Sequence, residues 1–168
     1  LAHQVRHHVA GLGPTAGAAD APMRLPRVCN PGRFRAAPVN GYVLCVDDDI
    51  VYPADYAQRM IDTLDRFDRR IVAGVHGRWF RTAFPRRYFA DSAFCHFGAR
   101  LDEDRWVHVL GTGTLAYHTD LLRLDVDDFP HANMADAILA CRLERNGIPR
   151  LAVRRPARWL TGLPSPRS

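Results

Sequence analysis

Short apolar runs alternate with amphipathic stretches between positions 41 and 160 of the chain. Tyr42, Val43, Leu44, Cys45 and Val46 form a continuous run of strand-favouring residues, the pattern of a strand buried on both faces of a sheet. Tyr56, Ala57, Met60, Ile61, Leu64 and Phe67 then recur at helical spacing, with Asp55, Gln58, Arg59, Asp62, Asp65 and Arg66 on the opposite side. This predicts an amphipathic helix whose apolar face is core. Pro53 suits its first position, and Arg69 and Arg70 complement the dipole at its end. Further strands are predicted at 71–75, 106–110, 115–117 and 151–153. Asn133 reads as the N-cap of a second helix built on Met134, Ile138, Cys141 and Leu143, stopped by Asn146-Gly147 and barred by Pro149.

Two stretches resist this reading. Residues 1–31 lack periodicity, and Gly, Ala and Pro interrupt 11–38, so an irregular amino-terminal segment is expected, with His3, His7 and His8 in a solvated terminus. Residues 77–105 interleave Trp79, Phe80, Phe84, Tyr88, Phe89, Phe94 and Phe97 with Arg78, Arg81, Arg86 and Arg87. Such a mixture can stack nucleic-acid bases, but no nucleic-acid-binding motif accompanies it, and an irregular flap over a site is favoured. Gly111-Thr112-Gly113-Thr114 is a tight turn, either a plain hairpin turn or a place where backbone approaches a ligand.

The 168 residues suit one domain with a moderate core and a loose tail over 161–168; no repeat or linker interrupts it. No apolar run is long enough for a membrane-spanning helix, so no transmembrane segment is expected. The chain begins at Leu1, which predicts a missing or processed start. The net charge of +5 says little about partners, because all 23 basic residues are Arg, a compositional bias; nucleic acid is not expected. The clustering of Arg150, Arg154, Arg155 and Arg158 is more informative. Four separated cysteines form no CxxC pair; Cys45 and Cys141 read as buried small hydrophobes in a reducing, cytoplasmic setting.

Asp47, Asp48 and Asp49 follow the first apolar run directly. Ligands of open α/β sheets gather beyond the carboxyl ends of strands. Three adjacent carboxylates repel unless a cation or donor sits among them, and one would suffice to cap a helix. A divalent ion with oxygen ligands, Mg2+ or Mn2+, carrying a phosphorylated ligand is the expected occupant.

The stretches GYVLCVDDDIVYPADYAQRMI, IVAGVHG, VLGTGTLAYHTDLL, FPHANMADAILACRLERNGIP and RRPARWL, in that order, resemble bacterial family 2 glycosyltransferases of the GT-A type. The resemblance covers 32–160 and implies an α/β fold, a mixed sheet flanked by helices, that lacks its amino-terminal part. It implies an inverting, non-processive transfer of sugar from a nucleotide-sugar donor, a UDP-sugar, to a hydroxyl of a glycan or lipid-linked acceptor in polysaccharide biosynthesis. The setting it implies is cytoplasmic or peripheral at the inner membrane face. Asp49 and Asp47 would hold the metal, with His118 as a further ligand. Asp47, Asp48, Arg155 and Arg158 would contact the donor. Gly111, Thr112, Gly113 and Trp159 would line the acceptor site, and Asp136 would be the general base. Asp136 has a second reading, as an acid that helps the dipole of the helix it opens.

The residues leave two rivals open. The first is a non-catalytic remnant of such a transferase, since no strand-helix-strand pattern precedes the aspartates. The second is a metal-dependent phosphoryl-transfer or hydrolytic enzyme, for which no P-loop, GxSxG or HExxH motif is found.

Overall fold

The computed structural model describes residues 7–12, 40–131 and 134–164. Asn133, expected to cap the second helix, lies outside them. The elements run β1 (His7–Leu12), β2 (Tyr42–Asp47), β3 (Ile50–Val51), α1 (Tyr56–Arg66), β4 (Val72–Gly74), β5 (Gly77–Phe80), β6 (Ser92–Cys95), β7 (Arg105–Trp106), β8 (Val109–Leu110), β9 (Thr114–His118), a 3-10 turn at Val126–Asp128, α2 (Ala135–Arg145), β10 (Arg150–Ala152) and β11 (Thr161–Gly162). The fold is mixed α/β, as expected at that level.

A six-stranded sheet in the order β1-β2-β9-β4-β10-β7 is the frame. β9 runs antiparallel to both β2 and β4, while β10 is parallel to β4. β2, β4 and β10 therefore end on the same edge, where β9 begins. Leu44, Ala116, Ala73 and Leu151 lie in register across four strands and join Tyr56, Met60 and Leu64 of α1 in one core layer. On the other face Val43, Leu115, Tyr117 and Val72 pack with Leu139 and Leu143 of α2. β2 is thus covered on both sides, as its apolar run requires.

α1 forms on the predicted stripe, but it starts at Tyr56; Pro53 stays outside, its carbonyl accepting the Tyr56 N–H at 3.0 Å. In α2 the buried row is Leu139 and Leu143, whereas Met134 and Cys141 are exposed. Cys141 is therefore not a core residue, and Cys45 is only half-buried. The irregular reading of 1–31 needs one correction, because His7–Leu12 is an edge strand paired antiparallel with β2. The tail at 161–168 needs another, because Thr161–Gly162 pairs with β3.

Residues 106–110 do not make a single strand. β7 closes the large sheet, and β8 joins a second sheet in the order β6-β5-β8. Leu110 reaches the main sheet over Gly74, where a Cβ would fall 2.7 Å from its Cδ2. Leu64 is wholly buried between α1 and the sheet. Leu64→Ala should lower the unfolding free energy by about 2–5 kcal/mol, read as a reduced urea midpoint with an unchanged slope.

Candidate active site

The site lies at the shared strand edge. Asp47 ends β2, and Val46 faces Thr114 across the ladder, so Asp47 reaches the turn that opens β9. A Cβ on Gly113 would overlap the Asp47 carboxylate, so only glycine leaves room for it there. Tyr52 locks the junction: its hydroxyl donates to the Gly113 carbonyl and accepts the Asp47 N–H at 2.9 Å. Asp48 and Asp49 form the exposed two-residue turn between β2 and β3. Among the described residues their carboxylates make no hydrogen bond or ion pair.

The same turn holds Asp136 from the other side. Its Oδ1 accepts the Thr112 N–H at 2.8 Å and the Thr112 hydroxyl at 2.9 Å, while among the described residues no hydrogen bond falls on Oδ2. Asp136 is in the first turn of α2, yet its carboxylate crosses to the turn at Thr112. The turn is not a hairpin. β8 pairs with β5 in the smaller sheet and β9 with β2 and β4 in the larger, so residues 111–113 bridge two sheets. Gly111, Thr112 and Gly113 thereby join Asp47 to Asp136.

His76 completes the group. It lies two residues past β4, at the same end of the sheet as Asp47 of β2, and its carbonyl accepts the Gly111 N–H at 2.9 Å. Its ring packs against Gly111 and meets His96 edge-on at 5.6 Å. Burial, followed by the neighbouring His96, pushes its pKa below the ordinary 6.5, while Asp136 pulls the other way. Neither His76 nor Tyr52 is singled out by the sequence patterns above. A polar residue just beyond an apolar strand is the signal that marks the aspartates, and it marks His76 too.

Other expected residues fall elsewhere. His118 pairs with Tyr42 at the opposite end of β2 from Asp47, roughly 17 Å away at the usual rise per residue. It is buried, its Nδ1 accepts the Asp120 N–H at 3.2 Å, and it leaves the ligand set. Arg155 is only 3% exposed, with its guanidinium donating to the carbonyls of Val153 and His96 at 2.9 and 2.7 Å, so it tethers backbone and does not reach toward a donor. Arg150 is likewise structural, paired with Glu144 and donating to the Ala140 carbonyl at 3.0 Å.

Arg158 is exposed, at a backbone φ of 59°, and its side chain makes no hydrogen bond or ion pair among the described residues. Trp159 lies on the first turn of α1: its Nε1 donates to Asp55 at 3.1 Å and Arg59 stacks on its ring at 4.3 Å. Ring contacts through Tyr56 and Tyr52 connect it to the Gly113 junction. The pairing of β11 with β3, with the Leu163 N–H on the Asp49 carbonyl at 2.7 Å, brings the end of the RRPARWL segment beside the aspartate turn.

No family model matches the chain, and no curated protein matches it.

Because His76 binds its proton less well in the folded protein than in the unfolded chain, stability should fall as pH drops below 6.5 and level off below the folded value. His76→Gln should flatten that part of the profile relative to the parent, as measured by urea midpoints across pH.

Proposed function

We propose that the protein transfers a sugar from a nucleotide-sugar donor to an acceptor hydroxyl, with inversion, using Asp136 as general base beside the aspartate turn. One observation carries the reading. Residues 111–113 hold Asp136 by two hydrogen bonds on Thr112 and seat Asp47 on Gly113, so two carboxylates far apart in sequence flank one small turn. The likeness to family 2 glycosyltransferases of the GT-A type supplies the chemistry that such a pair would serve.

The chain's own groups have separable tasks. Thr112 fixes Oδ1 of Asp136 and leaves Oδ2 to accept the proton of an attacking hydroxyl. A single attack on the anomeric carbon from the face opposite the leaving group inverts that centre, through an oxocarbenium-like state by analogy with glycoside hydrolysis. The glycines give the acceptor close access to backbone. Arg158 offers a guanidinium for a diphosphate at the end of the segment that pairs beside Asp49.

The divalent ion implied for this chemistry suits the donor set in part. Asp47, Asp48 and Asp49 offer hard carboxylate oxygens, two of them on an exposed turn. Among the described residues no three His, Cys, Asp or Glu side chains gather as a cage. The chain would therefore give Mg2+ or Mn2+ one or two oxygens, with phosphate and water filling the rest. When bound, the ion would offset charge on the departing nucleoside diphosphate.

Asp136→Asn should reduce transfer from a UDP-sugar by roughly 10²–10⁴-fold while calorimetric binding of UDP with Mn2+ persists. Asp49→Ala should remove the metal-dependent part of that binding heat. Equal loss of binding and transfer in Asp136→Asn would make the residue a structural tie. Absence of any metal-dependent heat in the parent protein would favour the non-catalytic remnant.

A further inference from the structure

We propose that the loop joining β5 to β6 is a docking surface for an anionic lipid bilayer. Four of the large apolar side chains left exposed by the fold lie on this hairpin: Phe84 at 89%, Phe89 at 78%, Phe94 at 53% and Tyr88 at 43%. Residues 81–90 are exposed without interruption. A concentration of bare aromatic surface on a small domain marks an interaction site.

The loop is built, with Tyr88 against Phe80 of β5. The Asp91 carboxylate accepts the backbone N–H groups of Arg86 and Arg87 at 2.7 and 2.8 Å, and the Arg81 N–H reaches the Asp91 carbonyl at 2.8 Å. Arg78 donates to Ser92 at 2.6 Å and lies over the rings of Tyr88, Phe89 and Phe94 at 4.9–5.2 Å. Tyr88, Phe89 and Phe94 thus gather around one fixed cation, with Phe84 bare beside them.

Charge selects the partner. The single acid of the loop, Asp91, is spent on holding backbone. The side chains of Arg81, Arg86 and Arg87 are exposed and have no ion partner among the described residues. Phe84 sits between them in the uncharged stretch Thr82-Ala83-Phe84-Pro85. An apolar wedge flanked by arginines matches the boundary between acyl chains and anionic headgroups, where rings enter and long cationic side chains reach the phosphates. Base stacking would instead call for rings along a groove that tracks a strand of nucleic acid, whereas Phe84 and Phe89 stand almost wholly exposed on a loop with no buried position from 81 to 90. The surface requires nothing of the transfer chemistry. At its root, Phe94 and His96 touch His76 in the candidate site, so a docked molecule would hold that site close to the lipid.

The test is flotation of the full chain with vesicles of phosphatidylglycerol and phosphatidylcholine, against phosphatidylcholine alone. The expected result is binding to the anionic vesicles only, weakened by salt. The double variant Phe84→Ser, Phe89→Ser should lose at least about tenfold in partition, and each of Arg86→Gln and Arg87→Gln should lose roughly fivefold. All of these positions are exposed, so the variants should keep the parent's thermal transition, which the same samples report. No binding by the parent, binding unchanged in the double variant, or the same variants losing single-stranded RNA binding or self-association in place of vesicle binding would overturn the proposal.

Discussion

The antiparallel ladder between Tyr42–Asp47 and Thr114–His118 decides where polar chemistry can collect. Its register sets Val46 against Thr114, so the first carboxylate beyond the apolar run meets Gly113. A shift of one residue would turn every side chain of β2 to the other face. Leu44 would leave the layer shared with α1, and Val43 the layer shared with α2. The two core layers therefore enforce the pairing, and the pairing aims Asp47. Tyr52 adds a second restraint by holding both strands' backbone through one hydroxyl.

Much of this frame was legible in the residue pattern. The apolar run over 42–46 and the helical stripe from Tyr56 to Phe67 announce themselves because burial on both faces and burial on one stripe leave different periodicities, although the helix starts three residues later than Pro53 suggests. The end of a strand can be read in the same way, but its direction cannot. His118 and Asp47 each close an apolar run, and antiparallel pairing sends them to opposite edges. The second helix shows a related ambiguity. Met134, Ile138 and Cys141 form one row, Leu139 and Leu143 another, and only the packing of the folded chain decides which row is core. The glycine-threonine turn looks like a hairpin locally, and what makes it a bridge is the membership of its flanking strands in different sheets.

Arginine divides its labour sharply in this protein. With no lysine in the chain, guanidinium groups serve as core ties, ring-stacking partners and free surface charge alike. Arg150 and Arg155 spend their donors inside the fold, Arg78 and Arg59 lay their planes on aromatic faces, and Arg81, Arg86, Arg87 and Arg158 are exposed to solvent. A cluster of basic residues in the sequence is thus poor evidence of a binding surface until burial has sorted its members.

Arg155 carries that lesson to its limit. Its backbone pairs with Leu101 in both directions, and its two terminal nitrogens hold the carbonyls of Val153, just past β10, and of His96, just past β6. No carboxylate is among these partners. What this interior place demands is a flat, forked donor of fixed span, because a compact ammonium on a flexible stem cannot face both oxygens at once. Shape, more than positive sign, is what ties the exit of β10 in the large sheet to the exit of β6 in the small one.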